Sequence, residues 1–148
     1  MTPGGLATAF DAADESPGFL LWQVTNRWQA AQRATLKPLG LTHVQFVLLA
    51  SLSWLHADGP VSQRDLAEHA STDQMMTSQV LRVLEARGLV ERAEHPSDRR
   101  AWSLRVTEDG RHLADRAVAL VEACDATFFS TLDDVAGFSG SLRRLANR

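Results

Sequence analysis

The chain of 148 residues has a single cysteine, Cys124, and no tyrosine. One thiol excludes an internal disulfide and any zinc site built from several thiolates. The missing tyrosine excludes a phenol as acid or nucleophile. Long hydrophobic runs are lacking too. The longest strongly apolar stretch, residues 44–55, is interrupted by Gln45, Ser51 and Ser53 and falls short of the roughly 18 apolar residues that span a bilayer. Residues 1–15 carry Asp11, Asp14 and Glu15 but no lysine or arginine, the opposite of a signal peptide's basic start. The expectation is a cytoplasmic protein with no membrane partner. There is no glycine-rich phosphate loop, no nucleophile elbow and no histidine pair at the i, i+4 spacing of a helical metal site. No catalytic role, cofactor or metal is therefore expected.

What is present is ordinary globular composition, 45% hydrophobic and 22% charged, of a length suited to one domain with helical extensions. The 15 basic residues against 18 acidic ones give a net charge of −3, which by itself argues against a nucleic-acid partner. The distribution argues otherwise. Fourteen of the basic residues are arginine and only Lys37 is lysine; arginine's planar fork matches phosphate oxygens and guanine edges, although a G+C-rich genome would give the same bias. The acids of the leader account for the whole −3, so residues 16–148 are neutral. Between Arg82 and Arg105, six arginines face four acids, a local surplus of two.

The periodicity predicts a flexible leader over 1–15, then helices joined by short turns. Ser16-Pro17 starts a helix that Pro38 and Gly40 end. Its apolar residues (Leu21, Val24, Trp28 and Ala31 on one side, Phe19, Leu20 and Trp22 on others) need more than one packing partner, a second subunit being the natural one. Thr42 caps a second helix to about residue 56, with Val44, Val47, Leu48, Leu52 and Leu55 inward. A short helix from Gln63 to about His69, a tight turn at 70–72, and a helix over 73–87 closed by Gly88 come next. The period then changes: 89–94 and 101–106 read as two strands around a polar loop, with Trp102, Leu104 and Val106 on one face. Thr107 caps a long helix bearing Leu113, Val118, Leu120 and Val121. A last segment, 132–145, is weakened by Gly137 and Gly140.

Two helices, a tight turn and a hairpin spell a mainly α chain with a small β-hairpin wing: a winged helix-turn-helix over 41–106, flanked by helical regions over 16–40 and 107–148. With Val80 at the centre of its core face, the second helix of the motif turns Met75, Ser78, Arg82 and Glu85 outward, with Gln74 and Gln79 on the flanks. Every amphipathic helix has a polar face; the place of this one, between a helix-and-turn and a charged hairpin, marks it for base reading. Glutamine suits adenine, serine several edges, methionine a thymine methyl. Arg92 and the loop residues Arg99 and Arg100 suit phosphates and a narrow minor groove, and Asp98 can hold a neighbouring arginine in a fixed pose, unless the loop is charged simply because it is exposed.

The run Leu66-Ala67, Gln79 to Arg92 (QVLRVLEARGLVER), Asp98-Arg99-Arg100 and Leu104 to Gly110 (LRVTEDG) resembles the multiple-antibiotic-resistance regulator (MarR) family over residues 17–146. The resemblance implies a homodimeric transcriptional regulator, a repressor, bound to a pseudo-palindromic operator in double-stranded DNA. It also implies a dimer made by the first and last helices, a wing Asp98-x-Arg100 supporting a minor-groove contact, and a small aromatic effector. Family members often carry arginine where this chain has Gln79. Helix adjacency and the same analogy place an effector pocket at Trp22, Asn26, His43 and Phe46. Two other readings stay open: a winged-helix ligand-binding or protein-interaction module without DNA contact, and a redox-responsive regulator acting through Cys124, which otherwise reads as a small buried hydrophobe.

Overall fold

The computed structural model describes residues 5–94 and 102–147. Each predicted helix is present, and most begin on the predicted hydroxyl. In α1 (Pro17–Leu36) the Ser16 hydroxyl accepts the Phe19 N–H and proline takes the first turn. A 3-10 turn and Gly40, with φ of +68°, reverse the chain. Thr42 and Gln45 cap α2 (His43–His56) reciprocally, and Ser62 and Asp65 do the same for α3 (Gln63–Ala70). Then come α4 (Gln74–Ala86), the strands β1 (Val90–Glu94) and β2 (Trp102–Val106), α5 (Glu108–Phe128) and α6 (Val135–Ala146). The first strand therefore starts one residue later than expected, and Leu89 belongs to the core beneath it. The leader, expected to be flexible, carries a 3-10 turn at Ala13–Glu15, with the Glu15 carboxylate accepting the N–H groups of Asp11 and Ala12.

The hairpin is antiparallel, with Val90 opposite Val106 and Glu94 opposite Trp102. A single bridge from Val61 to Leu104 extends the sheet toward α3, its Leu104 N–H donating to the Val61 carbonyl at 2.7 Å. Leu104 is fully buried, Val106 half-buried, and Trp102, at the far end of the same face, is 53% exposed.

Two cores share α2 and α5. The larger joins Leu48, Leu49 and Leu52 of α2 to Leu66, Leu81, Leu84 and Leu104, and reaches Ala114 of α5. The smaller joins Leu36, Leu41 and Phe46 to Ala117 and Val121. Val44, Val47 and Leu55, expected inward on α2, are half-buried, while Phe46 and Leu49 are buried instead. A helix packed against α1, α3, α4, α5 and β2 together is apolar on nearly every side, so its pattern marks no single inner face. On α5 the buried residues are Gly110, Ala114, Ala117 and Val121, and Leu120 faces out. Small side chains let α5 lie close to its neighbours. The approach is tightest at its start, where the Thr107 N–H and hydroxyl donate to the carbonyls of Leu89 and Gly88.

A Cβ on Gly110 would stand 2.1 Å from the Leu89 carbonyl oxygen and 2.8 Å from Val106 Cγ1. Gly110→Ala therefore drives α5 and the hairpin apart. It is expected to lower the unfolding free energy by about 3 kcal/mol in urea titrations, and an unchanged midpoint would refute this close approach.

Candidate nucleic-acid interface

The turn into α4 is locked by short polar contacts. Ser71 adopts the left-handed region, with φ of +54°. The Thr77 hydroxyl donates to the Asp73 carbonyl at 2.7 Å and lies 2.7 Å from the Thr72 hydroxyl. The Asp73 carboxylate accepts the Met76 N–H at 2.7 Å, placing an anion at the positive end of the helix. Thr77, fully buried, is satisfied by these neighbours and forms the core face of α4 with Leu81 and Leu84.

That face is rotated from the sequence-based expectation centred on Val80. Met76 and Val83, expected inward, are 42% and 45% exposed, and Met75 is 74% exposed. The outward face is Met75, Met76, Gln79, Arg82 and Val83. Ser78 and Glu85, expected on it, are half-buried at its edge. Gln74 is exposed, and its carbonyl and side-chain oxygen accept long, 3.4 Å bonds from the Gln63 amide. Glu85, the sole acid of α4, is turned into an ion pair with Arg92 of β1, both side chains about three-quarters covered. On the hairpin Arg105 pairs with Glu91 at 3.0 Å, and Arg87 donates to the Gly40 carbonyl at 2.8 Å. Arg82 has no hydrogen-bond or ion-pair partner among the described residues. Among the described residues the basic cluster thus divides into Arg87, Arg92 and Arg105, which brace the motif, and Arg82, which faces solvent. Asp98, Arg99 and Arg100 lie outside the described residues.

The four residues expected to line an effector pocket do not converge. Trp22 is 67% exposed on α1, and the Asn26 amide donates to its carbonyl within that helix. Phe46 is buried in the smaller core. His43 instead packs edge-on against Trp28, ring centroids 4.9 Å apart. The reason is helical phase: Trp22 and Trp28 are six residues, roughly 240°, apart on α1. His43 does line a cavity of about 420 Å³ with Gln29 and Arg33 of α1, Thr42 and Val47, and Met76 of α4. Gln29 and Arg33 were missed, though their i, i+4 spacing on α1 was a usable signal. Beside this cavity one carboxylate oxygen of Asp125 on α5 accepts both the Trp28 indole N–H and the Gln32 amide, each at 2.8 Å. The Gln32 side-chain oxygen is buried with no partner among the described residues. Burial pushes the His43 pKa below its usual 6.5, with Arg33 adding to the shift and Asp125 opposing it. Cys124 is half-buried. Among the described residues no cluster of histidine, cysteine and carboxylates is suited to a metal, and no single helix is long and apolar enough to cross a membrane.

Comparison with known proteins matches residues 41–102 to the MarR family. An HTH-type transcriptional regulator of Bacillus subtilis (strain 168), YdcH, is 41% identical over 92% of this chain and 93% of its own. The HTH-type transcriptional repressor Rv2887 of Mycobacterium tuberculosis (strain ATCC 25618 / H37Rv) is 40% identical over 81% of this chain and 85% of its own; its structure in complex with p-aminosalicylic acid aligns with a TM-score of 0.64 at 35% identity, covering 89% of this chain and 96% of that one. The crystal structure of CouR from Rhodococcus jostii RHA1, bound to p-coumaroyl-CoA, aligns with a TM-score of 0.83 at 33% identity, covering 93% of this chain and 96% of that one.

The lowered His43 pKa has a definite sign. The folded chain holds the imidazole neutral where the unfolded chain is protonated, so this contribution to stability is complete above pH 6.5 and is lost as pH falls toward the lowered value. Urea midpoints should fall from about pH 7.5 to about pH 5. His43→Gln should shrink that drop, and an equal drop in both proteins would exclude His43 as its source.

Proposed function

The chain belongs to the MarR family of transcriptional regulators, and from that premise we propose that it is a homodimeric repressor whose α4 helices enter successive major grooves of a pseudo-palindromic operator. The observation that carries this reading is the outward face of α4. It presents Met75, Gln79 and the unpaired Arg82, while its one acid, Glu85, is withdrawn into the pair with Arg92. A helix face with a free arginine and no free carboxylate suits a groove walled by phosphates. Gln74 and Ser78 border that face at its N-terminal end, where recognition helices meet base edges. Arg92 braces the wing against α4, and Arg99 and Arg100, in the sequence between the two strands, are assigned the flanking backbone and minor groove, with Asp98 assigned to hold a neighbouring arginine.

Residues 41–106 form the DNA-binding region in this reading, and 16–40 with 107–148 the dimerisation region. Helix α6 buries none of its own residues and leaves Val135, Leu142 and Leu145 exposed. Next to it, Leu21 and Val24 of α1 line an almost wholly apolar cleft with Phe138 and Leu142. A helix stabilised mainly by packing and exposed in this way calls for a second copy. The cavity beside His43 and Arg33 is suited to a small aromatic acid, its carboxylate meeting Arg33 and its ring the edge of Val47. The complexes of the Mycobacterium tuberculosis and Rhodococcus jostii relatives support an effector of aromatic character. The protein acts in the cytoplasm, by binding rather than by catalysis.

Selection of bound duplexes from random DNA tests this function, and a winged-helix module that serves only protein contacts would select none. On a selected operator, Arg82→Ala and Arg100→Ala should each weaken binding and flatten the dependence of log K on log salt by about one unit for each phosphate left without its cation. Unchanged slopes would remove both residues from the interface.

A further inference from the structure

We propose that α4 reads its operator through the C5 methyl groups of thymine, with Met75 and Met76 as the reading side chains and Gln79 beside them for the adenine edge. The inference rests on the DNA-binding role given above and names what that helix recognises. Its starting point is the rotation of α4. Because Thr77, Leu81 and Leu84 take the core face, two adjacent methionines and Val83 are left on the solvent face. Scattered exposed apolar residues are common. Three on one face of a thirteen-residue helix, beside a single unpaired charge, are not scattered.

The surroundings restrict what covers them. Arg82 is the free charge on this face, the Asp73 carboxylate is held by the Met76 N–H, and the Glu85 carboxylate by Arg92. The matching surface is therefore anionic at its rim and apolar at its centre. A major groove has that character only where thymines lie on its floor, because the C5 methyl is the one apolar group on a base edge there. Methionine fits this task. Its unbranched thioether chain adapts to a methyl whose position shifts with local twist, and it brings no hydrogen-bond demand that the wrong base would leave unmet. Met75 and Gln79 are one turn apart, about 6 Å along the axis. That spans about two base-pair steps of 3.4 Å. The half-site is thus expected to hold thymines within two or three consecutive A·T pairs, with Gln79 bidentate on an adenine among them.

Removing single methyl groups from the DNA tests this without disturbing the protein. Duplexes selected from random DNA by the full chain are resynthesised with each thymine replaced in turn by deoxyuridine, which lacks only the methyl. At one or two positions per half-site the affinity should fall about three- to fourfold for each methyl removed, the worth of one buried methyl-sized group. Met75→Ala or Met76→Ala should bind the thymine operator more weakly and lose its response to deoxyuridine at the position that side chain reads. Both residues lie outside the core, and circular dichroism with urea unfolding verifies that the variants are folded. Sequence-specific binding that ignores every deoxyuridine substitution would overturn methyl reading while leaving the DNA-binding role standing. A full deoxyuridine penalty in both methionine variants would overturn the assignment of residues. Failure to select any duplex would overturn the DNA-binding role itself.

Discussion

The rotation of α4 about its own axis is the constraint on which the rest of the surface depends. Leu81 and Leu84 bury completely against α2 and the hairpin, and Thr77 locks the first turn through its hydroxyl. A rotation by one residue, roughly 100°, would pull Leu81 out of the core at a cost of several kcal/mol, comparable to truncating a buried leucine. It would also bury Met76 or Arg82 in its place. The outward residues thus follow from what is hidden beneath them. The Glu85–Arg92 pair follows as well, since the same rotation brings Glu85 to the edge facing β1.

Most of the helix starts were legible because a cap is local: a hydroxyl or carboxylate and an N–H three residues on decide it, as at Ser16, Thr42, Ser62 and Thr107. The face of α4 was not. Periodicity counts Thr77 as polar and Met76 as apolar, yet the threonine is buried because its hydroxyl is satisfied within the turn, and the methionine is exposed because its neighbours are already packed. The seam of α5 was hidden for a related reason. Gly110, Ala114 and Ala117 weigh little in a hydrophobic pattern, though small size is what lets α5 come close. Gly137 read as a helix breaker, but the Asp134 cap occupies the place a Cβ would take, so α6 begins there because of the glycine.

The candidate site was legible in part. Arg82 and Met75 face outward as expected and Gln79, expected on the flank, joins them, while Arg92 is engaged with Glu85 and the four pocket residues separate. The helical phase of α1 decides the last point. Trp28 and Gln32 share a face and meet on one oxygen of Asp125, and Gln29 and Arg33, one residue along, look into the cavity instead. The cavity wall and the α1–α5 contact are therefore adjacent stripes of the same helix. His43, edge-on to Trp28, touches both.

The close approach at Gly110 joins the start of α5 to the end of α4 and the base of the hairpin, leaving no layer of side chains between them to absorb displacement. Mechanically α5 is then a lever with α4 and the hairpin fixed to one end. Its 21 residues make an arm of roughly 30 Å. A tilt of about 10° at the far end swings the near end by about 5 Å, roughly one and a half base-pair steps. The angle at which α5 lies across the two cores, through Ala114, Ala117 and Val121, thus sets where α4 and the hairpin stand to within a base-pair step.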